Sequence, residues 1–459
     1  MNQGNQVALS HLRTLTRQTP VLGRTVPQFC ARRSLGTNST GASPSSDQKG
    51  PLHGVRVIEV GNFIAGPHCG TILGYYGAEV IKIEPPGGDQ IRVFRDVDET
   101  GTSWWWRSIG RNKKSIVLDM KKPGAQEIVR DLCENADVLL ENFRPGKMEE
   151  WGLGPDVMAA LNDKLIYTRV SGYGQTGPYA PRPGFASACE AMGGFRHVNG
   201  FTDRPSVRPN LSMGDTLAGI NAALGTVMAL FARKSHHAGN GFQVVDTSIV
   251  ESVWGIMEGV LPDYDGAGLV REPSGSTVTG IVPTNTYPTK DNKAVVIGAN
   301  SNTLFKRLMT AMERDDLAES DKYNDNQKRV EHQAFLDDLI GSWTKERTSE
   351  EVLAAIGEAQ VPNGLIYSIE DIVKDPQYNA RGMIEEVDIP QLGRTLKIPG
   401  MSPKFSKTPG KTQWAGCELG EHSEEVLSTL LGYSGRKILD LCDEGAVLWP
   451  ENISKPTLH

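Results

Sequence analysis

At 459 residues, with 38% apolar and 22% charged side chains and a formal net charge of −7, the chain has the make-up of a globular protein with a sizeable core, which favours an enzyme over a small binding module. Its slight acidic excess is the opposite of what a polyanion requires, so no nucleic-acid partner is expected. It contains no uninterrupted apolar run of about 18 residues, so no membrane partner is expected either.

The first 46 residues hold neither Asp nor Glu but carry Arg13, Arg17, Arg24, Arg32 and Arg33. That is the composition of a mitochondrial transit peptide, and the matrix is the expected location. Residues 36–50, rich in Ser, Gly, Thr and Pro, read as a linker, so residues 1–50 are set aside as leader and linker. The run V-R-V-I-E-V from Val55 to Val60 predicts a strand, Pro67–Tyr76 a helix and Ala78–Glu84 a second strand, the pattern of a right-handed parallel crossover. A strand over Ser115–Asp119, a helix over Pro123–Ala136 and strands over Val138–Leu140 and Leu165–Ser171 continue the alternation. The expected fold class is α/β, with an open parallel sheet whose strand ends hold nucleotide-like ligands. Neither G-x-G-x-x-G after the first strand nor G-x-x-x-x-G-K-[ST] is present, which argues against an NAD-linked dehydrogenase and against an ATP enzyme.

Leu217, Ile220, Leu224, Val227 and Phe231 follow helical spacing over Thr216–Lys234, with Asp215 directly before that helix, and Val244–Met257 reads as a second helix. Beyond it, Gly, Thr and Pro mix with β-prone runs such as Ala294–Gly298, followed by helices over Thr303–Met312, Gln333–Trp343 and Ser349–Ala359. A large domain is expected over residues 51–270, a small α/β domain over 271–385, and a return to the large domain over 386–459 through Arg394–Pro399 and a helix over Ser423–Leu431. Cys30, Cys69, Cys133, Cys189, Cys417 and Cys442 form no C-x-x-C pair and have no histidine at ligand spacing. They read as reduced packing residues, with neither a disulfide nor a metal site expected.

Seven motifs occur in one order: G-A-E-V-I-K-I-E (Gly77–Glu84), R-N-K-K-S-I-V-L-D-M-K (Arg111–Lys121), A-D-V-L-L-E-N-F-R-P-G (Ala136–Gly146), S-G-Y-G-Q-T-G-P (Ser171–Pro178), M-G-D (Met213–Asp215), Y-N-A-R-G-M-I (Tyr378–Ile384) and L-G-E-H-S (Leu419–Ser423). In these the chain resembles the class III CoA-transferase family, over nearly its whole length after residue 50, and among its members the dicarboxylate transferases. The resemblance implies a Rossmann-like large domain built from both ends of the chain, a small inserted domain, and an interlocked homodimer. It also implies that Asp215 is the nucleophile, that a CoA thioester and a free carboxylic acid are the substrates, and that no cofactor is tightly bound. An Asp at a helix start also has a plain structural role as an N-cap, where the helix dipole keeps it ionised.

The 2-methylacyl-CoA racemases are similar in sequence and use a histidine about thirty residues before the aspartate as a second proton-transfer group. In P-G-F-A-S (Pro183–Ser187) that position is Phe185, which exchanges no proton. Many transferases place an acid at the next position to orient the nucleophile. Here it is Ala186, which keeps open a non-catalytic CoA-binding protein and leaves Glu190 or a water to take that part.

For CoA, the resemblance implies contacts from Ile64, Ala65, Arg111, Lys113, Leu118, Asn142, Phe143 and the turn that holds Gly172, Tyr173, Gly174, Gln175 and Gly177. Lys82, in a sheet strand, joins them as a candidate cation. Taken alone, each cation reads first as a solvated surface charge. Relatives often carry an Arg after K-I-E, where this chain has Pro85. The resemblance further implies a glycine-containing loop over the site, at Ser274–Gly280. The remote carboxylate of a dicarboxylic acid needs a cation, for which Arg208 in R-P-S-V-R-P is the candidate. Trp104–Trp106 reads either as a pocket wall or as core.

Overall fold

The computed structural model describes residues 49–235 and 241–449; the leader, all but the end of the linker, and Cys30 lie outside the described residues. Strands β1 (Arg56–Val60), β2 (Glu79–Glu84), β3 (Lys113–Val117), β4 (Val138–Glu141), β5 (Ile166–Ser171) and β6 (Gln243–Ser248) form one parallel sheet in the order β3-β2-β1-β4-β5-β6. The order reverses between β1 and β4, the switch point at which open α/β sheets hold ligands.

Both faces of the sheet are covered, and period-two alternation assigns each side chain to one of them. Ile58, Val60, Ile81, Ile83, Ile116 and Leu139 pack on one side with the Pro123–Glu134 helix and with Val426, Leu427, Ile438 and Leu441 from the C-terminal region. Val57, Val80, Val138 and Ile166 pack on the other with the Ala65–Tyr75 and Met213–Lys234 helices. These two helices approach closely because Gly219 has no side chain: a Cβ there would lie 2.8 Å from the Ala65 carbonyl oxygen. The chain does return to its first sheet, since Leu118 bridges Val447 and the Leu448 N–H reaches the Val117 carbonyl at 3.1 Å. A separate apolar cluster over Val282–Val361 surrounds the antiparallel sheet of β7 (Thr284–Pro288), β8 (Ala294–Gly298) and β9 (Asn363–Leu365).

Two sequence expectations need correction. Residues 243–248 are a strand rather than part of a helix, because β-branched Val244, Val245 and Thr247 pair with β5; the helix that follows is short, Ile249–Trp254. Arg394–Pro399 does not join the first sheet. As β11 it pairs with β10 (Ile384–Ile389) in an antiparallel hairpin, which suits a strand whose only buried side chain is Ile398. The Met213–Lys234 helix is, by length and composition alone, apolar enough to cross a membrane, since its scattered Asn221 and Thr226 break the run without making it polar. One face of it packs on the sheet, and Ile220, Leu224, Val227, Met228 and Phe231 remain exposed on the other.

Charged side chains are buried within the sheet itself. Glu59, paired in register with Lys82, receives both Lys82 Nζ at 2.9 Å and Lys113 Nζ at 2.8 Å, and Lys82 also meets Asp89 at 2.9 Å. Burial opposes the Lys82 charge, but Glu59, Asp89 and Glu84 outweigh it and raise its pKa above the ordinary range. Removing one partner from such a group leaves an uncompensated buried charge. Glu59→Leu is expected to lower unfolding stability by about 3–5 kcal/mol in denaturant titration.

Candidate active site

The loop after β1 forms one wall of the site and is fixed from three directions. Lys82 Nζ donates to the Gly61 carbonyl at 2.6 Å, Asp89 Oδ1 accepts the Phe63 N–H at 3.0 Å, and Asn142 pairs with the Asn62 backbone, accepting its N–H at 3.0 Å and donating to its carbonyl at 2.8 Å. Gly61 makes the last contact possible, because a Cβ would stand 2.4 Å from Asn142 Oδ1. The bonds hold Phe63 in the left-handed region, at φ 65°, a conformation that costs a non-glycine residue energy. The opposite wall follows β4: Glu141 accepts the Phe143 N–H at 2.6 Å and is itself held by Arg169 at 2.7 Å.

Between these walls, at the switch point, lies a cavity of about 330 Å³. Asn62, Phe63, Ala65, Asn142, Phe143, Arg144, Val170, Ser171, Gly172, Gly184, Phe185, Ile249 and Asp215 line it. Most of these surfaces are apolar, with few polar groups, as suits the reactive end of a small-molecule site.

Asp215 is not the N-cap of its helix. The helix begins at Met213 after Ser212, so Asp215 sits in the first turn. Among the described residues no group hydrogen-bonds its carboxylate. Burial, and then the neighbouring Glu190 carboxylate, raise its pKa to about 6 against the opposing effect of Arg208. The expectation of a carboxylate held firmly ionised by the helix dipole therefore gives way to a partly desolvated, more basic one, because desolvation outweighs a dipole effect of about 0.3–1 kcal/mol.

Of the residues read from the sequence, Ala65, Asn142, Phe143, Gly172 and Asp215 come together around this cavity. Ile64 is buried just behind it with Ile91 and Trp106. In the turn after β5, Tyr173 packs on Tyr179, Gly174 and Gly177 take positive φ, and the Gln175 N–H is held by Asp246 at 3.0 Å. Arg208 donates to the Leu211 carbonyl at 2.7 Å and approaches Glu190 at 3.7 Å. Lys82, Lys113, Arg111 and Leu118 do not line the cavity. The two lysines are engaged with Glu59. The Arg111 guanidinium binds Ser108, the Pro399 carbonyl and Thr412, and Leu118 is fully buried in the core. Trp106 is also core, and the Ser274–Gly280 loop lies against Gly200 and Phe201 instead.

Two residues were missed. Arg144 lines the cavity, is exposed, and has no ion pair among the described residues, so it is free to meet an anion. The signal was its place directly after Asn142 and Phe143 in the E-N-F-R-P-G run. Phe63, whose ring meets Phe185 edge-on at 5.7 Å, carries no local signal. Phe185 itself stands on the cavity where a racemase would need a proton carrier.

A doubly covered parallel sheet with a desolvated carboxylate in a cavity at its switch point defines an α/β protein with a small-molecule site. The family model for CoA-transferase family III matches residues 52–423, and the chain belongs to that family and is a CoA-transferase. It is 46% identical over 383 residues to the succinyl-CoA–D-citramalate CoA-transferase of Chloroflexus aurantiacus, covering 83% of this chain and 94% of the relative. Human succinyl-CoA:glutarate CoA-transferase is 30% identical over 407 residues, covering 88% and 92%. A crystal structure of a CaiB/BaiF family protein from Brucella suis superposes with a TM-score of 0.74 at 29% identity, covering 83% of this chain and all of that one.

A carboxylate attacks only in its ionised form, so an enzyme that uses Asp215 as its nucleophile is predicted to show kcat/KM rising with pH through an acid limb near the carboxyl's value of about 6. Initial rates across that range check it; an acid limb near the ordinary aspartate value of about 4 would contradict it.

Proposed function

We propose that the enzyme moves CoA from succinyl-CoA to a short dicarboxylic acid such as glutarate or itaconate, with Asp215 as the covalent carrier. The observation that carries this reading is the Asp215 carboxylate, without a hydrogen-bond partner among the described residues, in an apolar cavity at the sheet's switch point, in a chain of this family. Asp215 attacks the donor thioester carbonyl, the C–S bond breaks, and CoA thiolate leaves a mixed anhydride. The thiolate then attacks the aspartyl carbonyl, which releases succinate and forms an aspartyl-CoA thioester. The acceptor carboxylate expels the thiolate and forms a second anhydride; thiolate attack on the acceptor carbonyl yields the new thioester and restores Asp215. One thioester replaces another, so no ATP is needed.

The acceptors in the names of the two transferase relatives, D-citramalate and glutarate, are both dicarboxylates, which supports an acceptor of that class. Arg208, near Asp215, is the group proposed for the remote carboxylate, and Arg144 for an anion of the CoA portion. The exposed apolar face of the Met213–Lys234 helix supports a homodimer. Light scattering on the purified protein is expected to give twice the chain mass. The acid-free, arginine-bearing N-terminus supports import into the mitochondrial matrix.

The test incubates the protein with succinyl-CoA and separate free acids and identifies new thioesters by mass, with Asp215→Ala alongside. A dicarboxyl-CoA formed by the wild type and reduced on the order of a thousandfold or more in the variant is the expected result. Absence of any new thioester from the wild type would overturn the reading.

A further inference from the structure

The turn that presents Asp215 is not capped by its own segment, since the Ser212 side chain makes no capping hydrogen bond. The cap comes from the neighbouring Ala186–Met192 helix: Glu190 Oε1 accepts the N–H of Gly214, the residue before the nucleophile, at 3.1 Å. Glu190 is only 1% exposed, and a carboxylate buried to that degree is costly unless it is paired. Its other oxygen lies 3.3 Å from Arg196 and 3.7 Å from Arg208. Three separate segments thus converge on one carboxylate, and one of them is the backbone that aims Asp215.

We propose that Glu190 is the positioning residue of the transfer reaction, fixing the first turn that points Asp215 into the cavity and keeping a negative charge beside it. The inference rests on Asp215 being the nucleophile. Position 186, one helical turn earlier and on the same face, is a buried alanine with no polar side-chain atom. Of these two positions only 190 offers a carboxylate to the Gly214 N–H.

The groups around Asp215 separate this role from plain structural support. On the Ala186–Met192 helix, Glu190 and Cys189 face it, and Arg208 approaches from the segment before its own helix. His68, on the Ala65–Tyr75 helix, packs at Gly219 and is held neutral, its pKa lowered to about 4 by burial and by Lys113 and Arg111. Glu251, on the Ile249–Trp254 helix, is hydrogen-bonded by Ser248. Glu190 is thus the acid whose loss shifts the titration of Asp215.

Glu190→Gln keeps the acceptor and the volume but removes the charge; Glu190→Ala removes both. The full chain is assayed with succinyl-CoA and an acid that the wild type converts. In Glu190→Gln the acid limb of kcat/KM moves to lower pH and kcat falls several-fold, with KM for succinyl-CoA within about twofold of wild type. In Glu190→Ala kcat falls about a hundredfold, as expected for a displaced reacting group. If Glu190→Ala does not fold, Glu190→Gln decides. A wild type that turns over while Glu190→Gln matches it in kcat and in acid limb overturns this inference alone; a wild type that forms no thioester overturns the transferase reading and this inference with it.

Discussion

The site depends on a charge buried in the middle of a sheet. Lys82 reaches from β2 to Glu59 on β1, to Asp89 beyond β2 and to the Gly61 carbonyl at the end of β1. An ammonium removed from water persists only if it is well paired, and here its three partners come from two segments, the end of β1 and the Asp89 loop. Satisfying the lysine therefore fixes where β1 ends and how the next residues turn. Asp89 repeats the constraint by holding the Phe63 N–H, and Asn142 does so by pairing with Asn62. The strained Phe63 backbone persists because these bonds over-determine it.

From that fixed loop the chemistry follows in steps. The loop leads into the Ala65–Tyr75 helix, and the tight contact at Gly219 carries the Met213–Lys234 helix against it. The first turn of the second helix thereby reaches the cavity, with Asp215 among apolar walls and without a hydrogen-bond partner among the described residues. Such a carboxylate is less solvated and more basic than one in water, which is what attack on a thioester carbonyl calls for. Phe185 in the same cavity has no exchangeable proton, which fits the proposed acyl transfer better than an isomerisation.

The sheet was readable because its strands are runs of Val and Ile between turn residues, and their two-face burial leaves little ambiguity. Asp215 was readable only through the order of seven motifs, since a lone Asp near a helix start means little. The destinations of Lys82, Lys113 and Arg111 were not. In V-I-K-I-E a lysine looks the same whether its amine meets solvent, a phosphate or Glu59, and the partners that decide lie on other strands and in the Asp89 loop. The start of the Met213–Lys234 helix was misplaced because its cap, Glu190, comes from another helix and leaves no local mark. The strand Gln243–Ser248 runs into the next helix without Gly or Pro between them, so an apolar stretch that changes structure midway read as one helix.

The most direct test follows oxygen. In the proposed cycle the acceptor carboxylate attacks the aspartyl thioester, and CoA then leaves with the acceptor carbonyl, so one acceptor oxygen stays on Asp215. Turnover with an acceptor acid labelled in its carboxylates with heavy oxygen, followed by mass analysis of the peptide containing residues 213–215, is predicted to find the label in the Asp215 side chain. Turnover to the same product with no label in that peptide would contradict Asp215 as the acyl carrier.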